Sequence, residues 1–188
     1  MASLVLKMSV SLDGYVASVD GSPGWEAAGR SPDGAEWVLD TVSKASAHLV
    51  GAATYARWAN FWPGASGPIA VAMNEIPKVV FSSSLTSLDW GEATIESGNL
   101  ADAVARLKQQ ESDGYLLAQG GVRFARSLVA TGLIDEYRLV VHPVILGAGE
   151  RLFAAPLTIE PAGTIPFSRG AVAHVFTADA GRGAVEAG

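Results

Sequence analysis

Short apolar segments that end in glycine or serine alternate with helical segments over about the first two thirds of this 188-residue chain. Strands are predicted at Leu4–Ser9, Tyr15–Ala17, Ala47–Val50, Lys78–Phe81, Ala93–Ile95 and Tyr115–Ala118. Helices are predicted from Pro32 to about Ala45, from Thr54 to about Asn60, over Asn99–Glu111 and over Val122–Thr131. Strands that are separated by helices pair in parallel, so this alternation predicts a parallel sheet with helices on both faces.

Two helix boundaries carry specific signals. Ser31 before Pro32 is typical of a helix start, because the hydroxyl can cap the first turn and proline fits the first helical position. Gly132 predicts the C-terminal cap of the helix that ends at Thr131. The segments Val19–Arg30 and Pro63–Pro68 are predicted to be loops.

The last third of the chain has a different pattern. Strands are predicted at Asp135–Leu146, Leu157–Phe167 and Val172–Ala178 without helices between them, which favours antiparallel pairing. The expected architecture is a three-layer α/β/α fold whose mostly parallel central sheet has an antiparallel C-terminal edge. One domain is expected over residues 1–179, followed by a flexible tail at 180–188.

Composition argues against several classes of function. The chain has no cysteine, and this excludes disulfides and cysteine-bound metals. Its net charge of -6 and lack of a Lys/Arg cluster argue against nucleic-acid binding. Apolar runs such as Ile69–Met73 are far shorter than the roughly 20 residues of a membrane-spanning helix, and no signal peptide is apparent, so a cytoplasmic protein is expected. Because His48, His142 and His174 are scattered, no metal site is predicted.

Three of the predicted strands are followed by glycine or serine residues. Gly51 and Gly120-Gly121 each lie between a strand and a helix, and Ser82-Ser83-Ser84 follow a third strand. The carboxyl ends of parallel strands meet at one edge of a sheet, where ligands bind. Glycine lets the backbone approach a phosphate, and the next helix offers free N–H groups. Together these turns favour an elongated anionic ligand.

Other motifs are absent or incomplete. Gly147-Ala148-Gly149 offers the start of a dinucleotide fingerprint, but Leu152 stands at the third glycine position. Neither a phosphate-binding Gly-Lys-Ser/Thr loop nor a Gly-x-Ser-x-Gly nucleophile elbow occurs in the chain.

Five segments carry a family resemblance. They are Ser11–Ala17 (S-x-D-G-x-x-A), Gly51–Tyr55 (G-R-x-T-Y in the family), Lys78–Ser84 (K-x-V-x-S), Gln119–Gly121 with Leu128 and Gly132–Glu136 (G-G…L…G-L-[IV]-D-E), and Pro143–Gly149 with Leu152-Phe153 (P-x-x-L-G-x-G-x-x-L-F). With these five segments in this order, the chain resembles the dihydrofolate-reductase-like superfamily, in particular the reductase domain of bifunctional riboflavin-biosynthesis enzymes.

The resemblance implies that NADPH is the hydride donor, and it assigns roles to individual residues. Met8, Ser9, Val16 and Ala17 would surround the nicotinamide, and Ser82 and Ser83 would face the adenosine ribose. The pyrophosphate and adenosine region would be held by Gly51, Ala53, Thr54, Gln119, Gly120, Gly121, Val122 and Arg123.

One residue departs from the family pattern. Ala52 stands where the family has an arginine that can pair with the 2′-phosphate of NADPH. Use of NADH is therefore also possible, and Ser83, Ser84 or Arg57 are alternatives that could compensate.

The substrate side is less defined by sequence. Glu36, on the first predicted helix, is the candidate catalytic acid, with a solvated surface carboxylate as the alternative. Trp25, Trp58 and Trp62 are candidate substrate contacts, and Phe61 could belong to the same wall, although each could equally be a packing residue. Trp37 and Tyr55 are expected in the core.

These expectations lead to a functional hypothesis with two forms. The first is a reductase that transfers a hydride to a C=N or C=O bond of a small pterin- or pyrimidine-like molecule. The second is a non-catalytic dinucleotide- or ligand-binding protein of the same fold. Because no basic cluster for a substrate phosphate and no deaminase segment is apparent, a substrate other than that of the riboflavin pathway is expected. A homodimer is expected if the apolar residues Val140, Val144 and Ile145 are exposed.

Overall fold

The computed structural model describes residues 1–22 and 24–178, which form ten strands, five α-helices and two short 3-10 turns. The strands are β1 (Leu4–Ser11), β2 (Tyr15–Ala17), β3 (Ala45–Gly51), β4 (Lys78–Phe81), β5 (Ala93–Glu96), β6 (Tyr115–Gln119), β7 (Glu136–His142), β8 (Glu150–Arg151), β9 (Ile159–Pro166) and β10 (Val172–Ala178). The helices are α1 (Pro32–Ser43), α2 (Ala52–Phe61), α3 (Pro68–Glu75), α4 (Leu100–Lys108) and α5 (Val122–Thr131), and the 3-10 turns are Gly24–Gly29 and Trp62–Gly64.

Eight of the strands form one sheet in the order β5-β4-β3-β6-β1-β7-β10-β9. The first six run parallel, with β1 at the centre between β6 and β7. At the other end, β10 pairs antiparallel with β7, and β9 pairs antiparallel with β10 and forms the edge. The mostly parallel sheet with an antiparallel C-terminal edge is confirmed.

Successive side chains of β1 point to opposite faces of the sheet, and both faces are covered by helices. Leu4 and Leu6, both 0% exposed, pack on one face against residues of α4 and α5. Val5 packs on the other face with Val42 of α1 and Met73 of α3. Each fully buried side chain of this size contributes about 1.5–3 kcal/mol of apolar burial, so the central strand anchors both layers.

The two boundary signals of the sequence are confirmed. The Ser31 hydroxyl accepts a hydrogen bond from the N–H of Gly34 at 3.3 Å, which caps α1. Gly132 adopts a left-handed conformation with φ 68°, and its N–H donates to the carbonyl of Val129 at 3.1 Å. Both ends therefore satisfy backbone groups that a helix leaves unpaired.

Several element predictions were incomplete. Helix α3 was missed, because its eight residues are mostly apolar and do not show apolar residues spaced three or four apart between polar ones. The segment predicted as the loop Val19–Arg30 contains the turn Gly24–Gly29, and the loop Pro63–Pro68 overlaps the turn Trp62–Gly64. The predicted tail at 180–188 lies outside the described residues.

The strand predicted at Asp135–Leu146 was too long, since β7 ends at His142. Proline at the next position has no N–H to donate, which stops the ladder there. The segment after it is held instead by Asp13, whose carboxylate accepts hydrogen bonds from the N–H groups of Leu146 at 3.1 Å and Gly147 at 2.7 Å. Together with the Ser11 hydroxyl, these donors lower the pKa of Asp13 to about 2.

The apolar surface expected around Val140, Val144 and Ile145 is only partly present. Val140 is 5% exposed, because it packs in a cluster with Phe167, Ala171 and Ala173, whereas Ile145 is 72% exposed. The two edge strands of the sheet are β5 and β9. Within the described residues, no helix is long and apolar enough to cross a membrane.

Candidate active site

A cavity of about 1090 Å³ opens at the carboxyl ends of the parallel strands. Residues from β1, β3 and β6 line it on the sheet side, and residues from α1, α2 and α3 line it on the other. This is the edge at which open α/β sheets bind their ligands, so the cavity is the candidate site.

The turn between β6 and α5 forms one lip of this cavity. Gly120 and Gly121 both have positive φ, at 67° and 70°, a conformation that residues other than glycine rarely adopt. A β-carbon on Gly121 would overlap the hydroxyl of Thr54, the buried third residue of α2. The backbone thus passes close to α2 and leaves no side chain in the way of a ligand.

Two helix N-termini meet at this lip. Gly51 precedes α2 and Gly121 precedes α5, and neither helix start carries a side-chain cap. Their free N–H groups and positive dipole ends are suited to bind phosphate oxygens. Both helix starts lie beside a cavity large enough for part of a dinucleotide, so the residues present fit a pyrophosphate.

The cavity also contains a polar group that sequence reasoning missed. Lys7, on the central strand β1, lines it and takes no part in the ion pairs of the described residues. Burial lowers the pKa of Lys7, and the charge of Glu26 opposes that effect. A desolvated cation facing a cavity is suited to hold a carbonyl oxygen or an anionic group of a ligand.

His142 and Trp25 stand at the same end of the cavity. Their rings meet edge to face with centroids 5.5 Å apart, and both line the cavity. Burial lowers the pKa of His142, while the charge of Glu26 raises it and those of Lys7 and Arg30 lower it. A β-carbon on Gly29 would lie 2.8 Å from Nδ1 of His142, so only glycine lets the Gly24–Gly29 turn pack this closely.

An aromatic wall closes the side formed by α2 and the Trp62–Gly64 turn. Trp58 and Trp62 line the cavity, and Trp58 packs edge to face on His48 at a centroid distance of 5.5 Å. His48 is fully buried, and this burial, together with the charge of Lys78, lowers its pKa to about 3. Phe61 does not line the cavity: it is 61% exposed and packs against Trp62 from outside.

Most of the predicted site residues meet in this cavity. Those that line it are Met8, Ser9, Val16, Ala17, Trp25, Glu36, Gly51, Ala53, Thr54, Trp58, Trp62, Gln119, Gly120, Gly121, Val122 and Arg123. Their roles stay predictions. Of the two expected core aromatics, Tyr55 is buried, and Trp37 is half-buried against Phe167.

Ser82 and Ser83 do not reach the main cavity. They line a smaller one of about 240 Å³ at the ends of β4 and β5, next to Glu96. Phe124 of α5 lines both cavities, so the two adjoin at this ring.

Several polar residues of the site were not predicted, and Lys7, Glu26 and His142 are among them. Lys7 could have been found, since a lysine inside the apolar strand Leu4–Ser9 is unusual unless it has a function. Glu26 and His142 gave no such signal, because they come together only through the fold. No group of three or more His, Asp or Glu residues in the described ranges could hold a metal ion.

A known protein family matches almost the whole of this chain. The sequence model of the RibD C-terminal domain matches residues 2–168. The chain belongs to the RibD C-terminal domain family. The match includes every residue that lines the main cavity except Ala171.

Relatives of this RibD C-terminal domain protein include two proteins of Bacillus subtilis strain 168. YyaP is 26% identical over 181 residues, covering 92% of this chain and 93% of the relative. YwjB is 30% identical over 151 residues, covering 79% of this chain and 81% of the relative. Both are named as uncharacterized proteins.

Solved structures share the fold of this RibD C-terminal domain protein. A protein of Shewanella sp. PV-4 assigned to riboflavin biosynthesis has a TM-score of 0.73 and 21% identity, covering 94% of this chain and 98% of its own. The Thermotoga maritima diaminohydroxyphosphoribosylaminopyrimidine deaminase/5-amino-6-(5-phosphoribosylamino)uracil reductase has a TM-score of 0.67 and 15% identity, covering 95% of this chain and 57% of its own. This chain therefore matches little more than half of that bifunctional enzyme.

Proposed function

We propose that this protein is a reductase that uses a reduced nicotinamide dinucleotide to transfer a hydride to a C=N or C=O carbon of a small molecule. The observation that carries the proposal is the pair of positive-φ glycines, Gly120 and Gly121, at the lip of the main cavity. Membership of a reductase domain family supports the reaction type. NADPH is the donor that the family resemblance implies.

The cofactor would lie along the carboxyl edge of the sheet. The N–H groups that follow Gly51 and Gly121 would hold the pyrophosphate, and the nicotinamide would lie against Met8, Val16 and Ala17. When bound, the dinucleotide supplies the hydride. The protein supplies the position and orientation of the reacting groups.

The substrate would occupy the end of the cavity between Trp25, Trp58 and Trp62. Aromatic rings on two sides suit a planar molecule, and this favours a pterin- or pyrimidine-like ring. Lys7 lies on the sheet side of this space, where its ammonium group could hold a carbonyl oxygen of the ring.

A proton must also reach the reduced substrate, and two carboxylates are available at this end. Glu36 lines the cavity but is exposed on α1. Glu26 is half-buried beside Trp25, and its charge affects the pKa values of both Lys7 and His142. Because Glu26 is less exposed than Glu36 and lies with Trp25 at this end of the cavity, we propose Glu26 for this role ahead of Glu36.

Spectroscopic assays would test the proposed reaction. The purified protein is mixed with NADPH or NADH and a panel of pterin, pyrimidine and small carbonyl acceptors, and absorbance is followed at the dinucleotide band. Acceptor-dependent oxidation supports a reductase. Saturable dinucleotide binding without turnover on any acceptor would favour the non-catalytic binding protein, and the absence of binding would refute both.

We also propose that the protein is a cytoplasmic homodimer. The exposed side chain of Ile145 and the largely exposed edge strand β9 are the surfaces that a second copy would cover. Light scattering that gives the mass of one chain at working concentration would refute the dimer.

A further inference from the structure

The smaller cavity, at the ends of β4 and β5, continues the site away from the substrate end. It begins at Phe124, which also lines the main cavity, and the rings of Phe124 and Phe81 lie 5.1 Å apart. Gly51 allows this arrangement, because a β-carbon there would come within 3.3 Å of Phe124. A dinucleotide whose pyrophosphate lies at Gly51 and Gly121 would extend its adenosine half toward this cavity.

The smaller cavity is lined by four serines, Ser82, Ser83, Ser97 and Ser127, and the charged residue in its described lining is a glutamate, which suits a hydroxyl better than a phosphate. Glu96, the last residue of β5, lines it, and its side chain is 24% exposed. Ser82 is held beside it, since its N–H donates to the carbonyl of Glu96 at 3.0 Å. No lysine or arginine is among the described residues that line this cavity.

One arginine pairs with the carboxylate of this cavity. Arg106 of α4 donates from Nη2 to Oε1 of Glu96 at 2.7 Å. The start of α4 is capped, because the Asn99 side chain accepts hydrogen bonds from the N–H groups of Ala101 and Asp102. Within the described residues, a phosphate in this cavity would meet no lysine or arginine in the lining and no uncapped start of α4.

Ala52 removes the other possible partner. It is the first residue of α2, directly after the strand end that pairs with Phe81, and its methyl group offers no charge. The two arginines nearest in sequence to the glycine turns, Arg57 and Arg123, line the main cavity and not the smaller one.

We infer that the smaller cavity receives an adenosine ribose with a free 2′-hydroxyl, so that the protein binds NADH in preference to NADPH. This inference rests on the proposed function. Glu96 would accept a hydrogen bond from the hydroxyl, as an acidic residue does in sheets that bind NAD. The same carboxylate would repel the charge of a 2′-phosphate, which has close to two negative charges near neutral pH.

Binding measurements on the whole protein test the inference without an assay of turnover. Dissociation constants are measured by calorimetry for NADH and NADPH, and for ADP-ribose and its 2′-phosphate. We expect the forms without the 2′-phosphate to bind about tenfold more tightly, the effect of one close like-charge pair. Equal or tighter binding of NADPH would overturn the inference and leave the proposed function intact, whereas failure of all four ligands to bind would overturn the proposed function.

Two variants test whether Glu96 and Ala52 set the preference for NADH over NADPH. Glu96→Gln removes the carboxylate charge and releases Arg106, and Ala52→Arg restores a cation at the start of α2. We expect each to shift the NADH/NADPH affinity ratio toward NADPH by about fivefold or more. Glu111→Gln, an exposed residue outside both cavities, controls for net charge and should leave the ratio unchanged. A wild-type ratio in both site variants would show that the smaller cavity does not contact the ribose.

Discussion

Gly121 turns its bare α-carbon toward the hydroxyl of Thr54, and a β-carbon at that position would overlap the oxygen. This contact joins the start of α5 to the first turn of α2, and both residues line the main cavity. It therefore links a local backbone requirement to the place where we propose that phosphates bind.

Replacing this glycine should impair binding beyond its effect on stability. Gly121→Ala places alanine in a left-handed conformation, at a cost of about 1–2 kcal/mol, and pushes Thr54 away from the lip. We expect a lower Tm and dinucleotide affinity reduced by about tenfold or more. Calorimetry and thermal unfolding measure the two effects.

Gly132→Ala is the matched control. Gly132 has nearly the same φ of 68°, but no atom lies within 4 Å of the position that its β-carbon would take. It caps the far end of α5, so it should lose stability to a similar degree and keep its affinity. Equal loss of affinity in both variants would mean that Gly121 acts only through folding.

Lys7→Met should separate function from stability. The substitution removes a desolvated cation from the central strand, and the free energy of unfolding should be unchanged or higher. Turnover should fall by about 10²-fold or more, while dinucleotide affinity is retained. The measurements are steady-state kinetics and thermal unfolding. Lys44→Met, at an exposed residue paired with Asp40, should change neither quantity. Full activity of Lys7→Met would exclude a role for Lys7 in the reaction.

The buried His48 should make the protein acid-sensitive. Its pKa is about 3 in the folded protein against an ordinary value of 6.5, so between these pH values the unfolded chain binds more protons. The free energy of unfolding should therefore fall as pH falls from 6.5 toward 3, with a contribution from this group of up to about 1.4 kcal/mol per pH unit.

His48→Leu should remove that component of the acid sensitivity. The ring nitrogens of His48 have no hydrogen-bond partner among the described residues, so leucine breaks no polar contact. Urea unfolding at a series of pH values measures the slope, with His174→Leu on β10 as a control that should keep it. An unchanged slope in His48→Leu would show that His48 is protonated in the folded state.

The two carboxylates of the substrate end can be distinguished by isosteric variants. We expect Glu26→Gln to lower kcat by about 10²-fold near neutral pH. Glu36→Gln, at an exposed residue, should lower kcat by only a few fold. The reverse order would restore Glu36 as the proton donor, as the sequence suggested.

The fold was largely predictable from local patterns, because strands β4 and β10 and helix α5 begin and end where turn and capping residues place them. Helix α3 was not, since its short apolar sequence Pro68–Glu75 fits a strand as well as a helix. Tertiary packing against α1 decides in favour of the helix.

The site divides in a similar way. Gly51 and Gly120-Gly121 were predictable, because a phosphate-binding turn needs glycine at a strand end. Glu26 and His142 lie 116 residues apart in sequence and meet only when the Gly24–Gly29 turn packs on the end of β7. No local pattern encodes such a contact, so their place in the cavity had to be observed.

Methyl NMR on the three methionines tests the central claim most directly. Met8 and Met73 are 4% and 1% exposed and line the main cavity, whereas Met1 is 97% exposed. The protein is labelled with ¹³C in the methionine methyl groups and titrated with reduced dinucleotide. We expect the Met8 resonance to shift saturably, with Met1 unchanged, because the nicotinamide would lie against Met8. A saturating titration that leaves Met8 unmoved would contradict the proposed site.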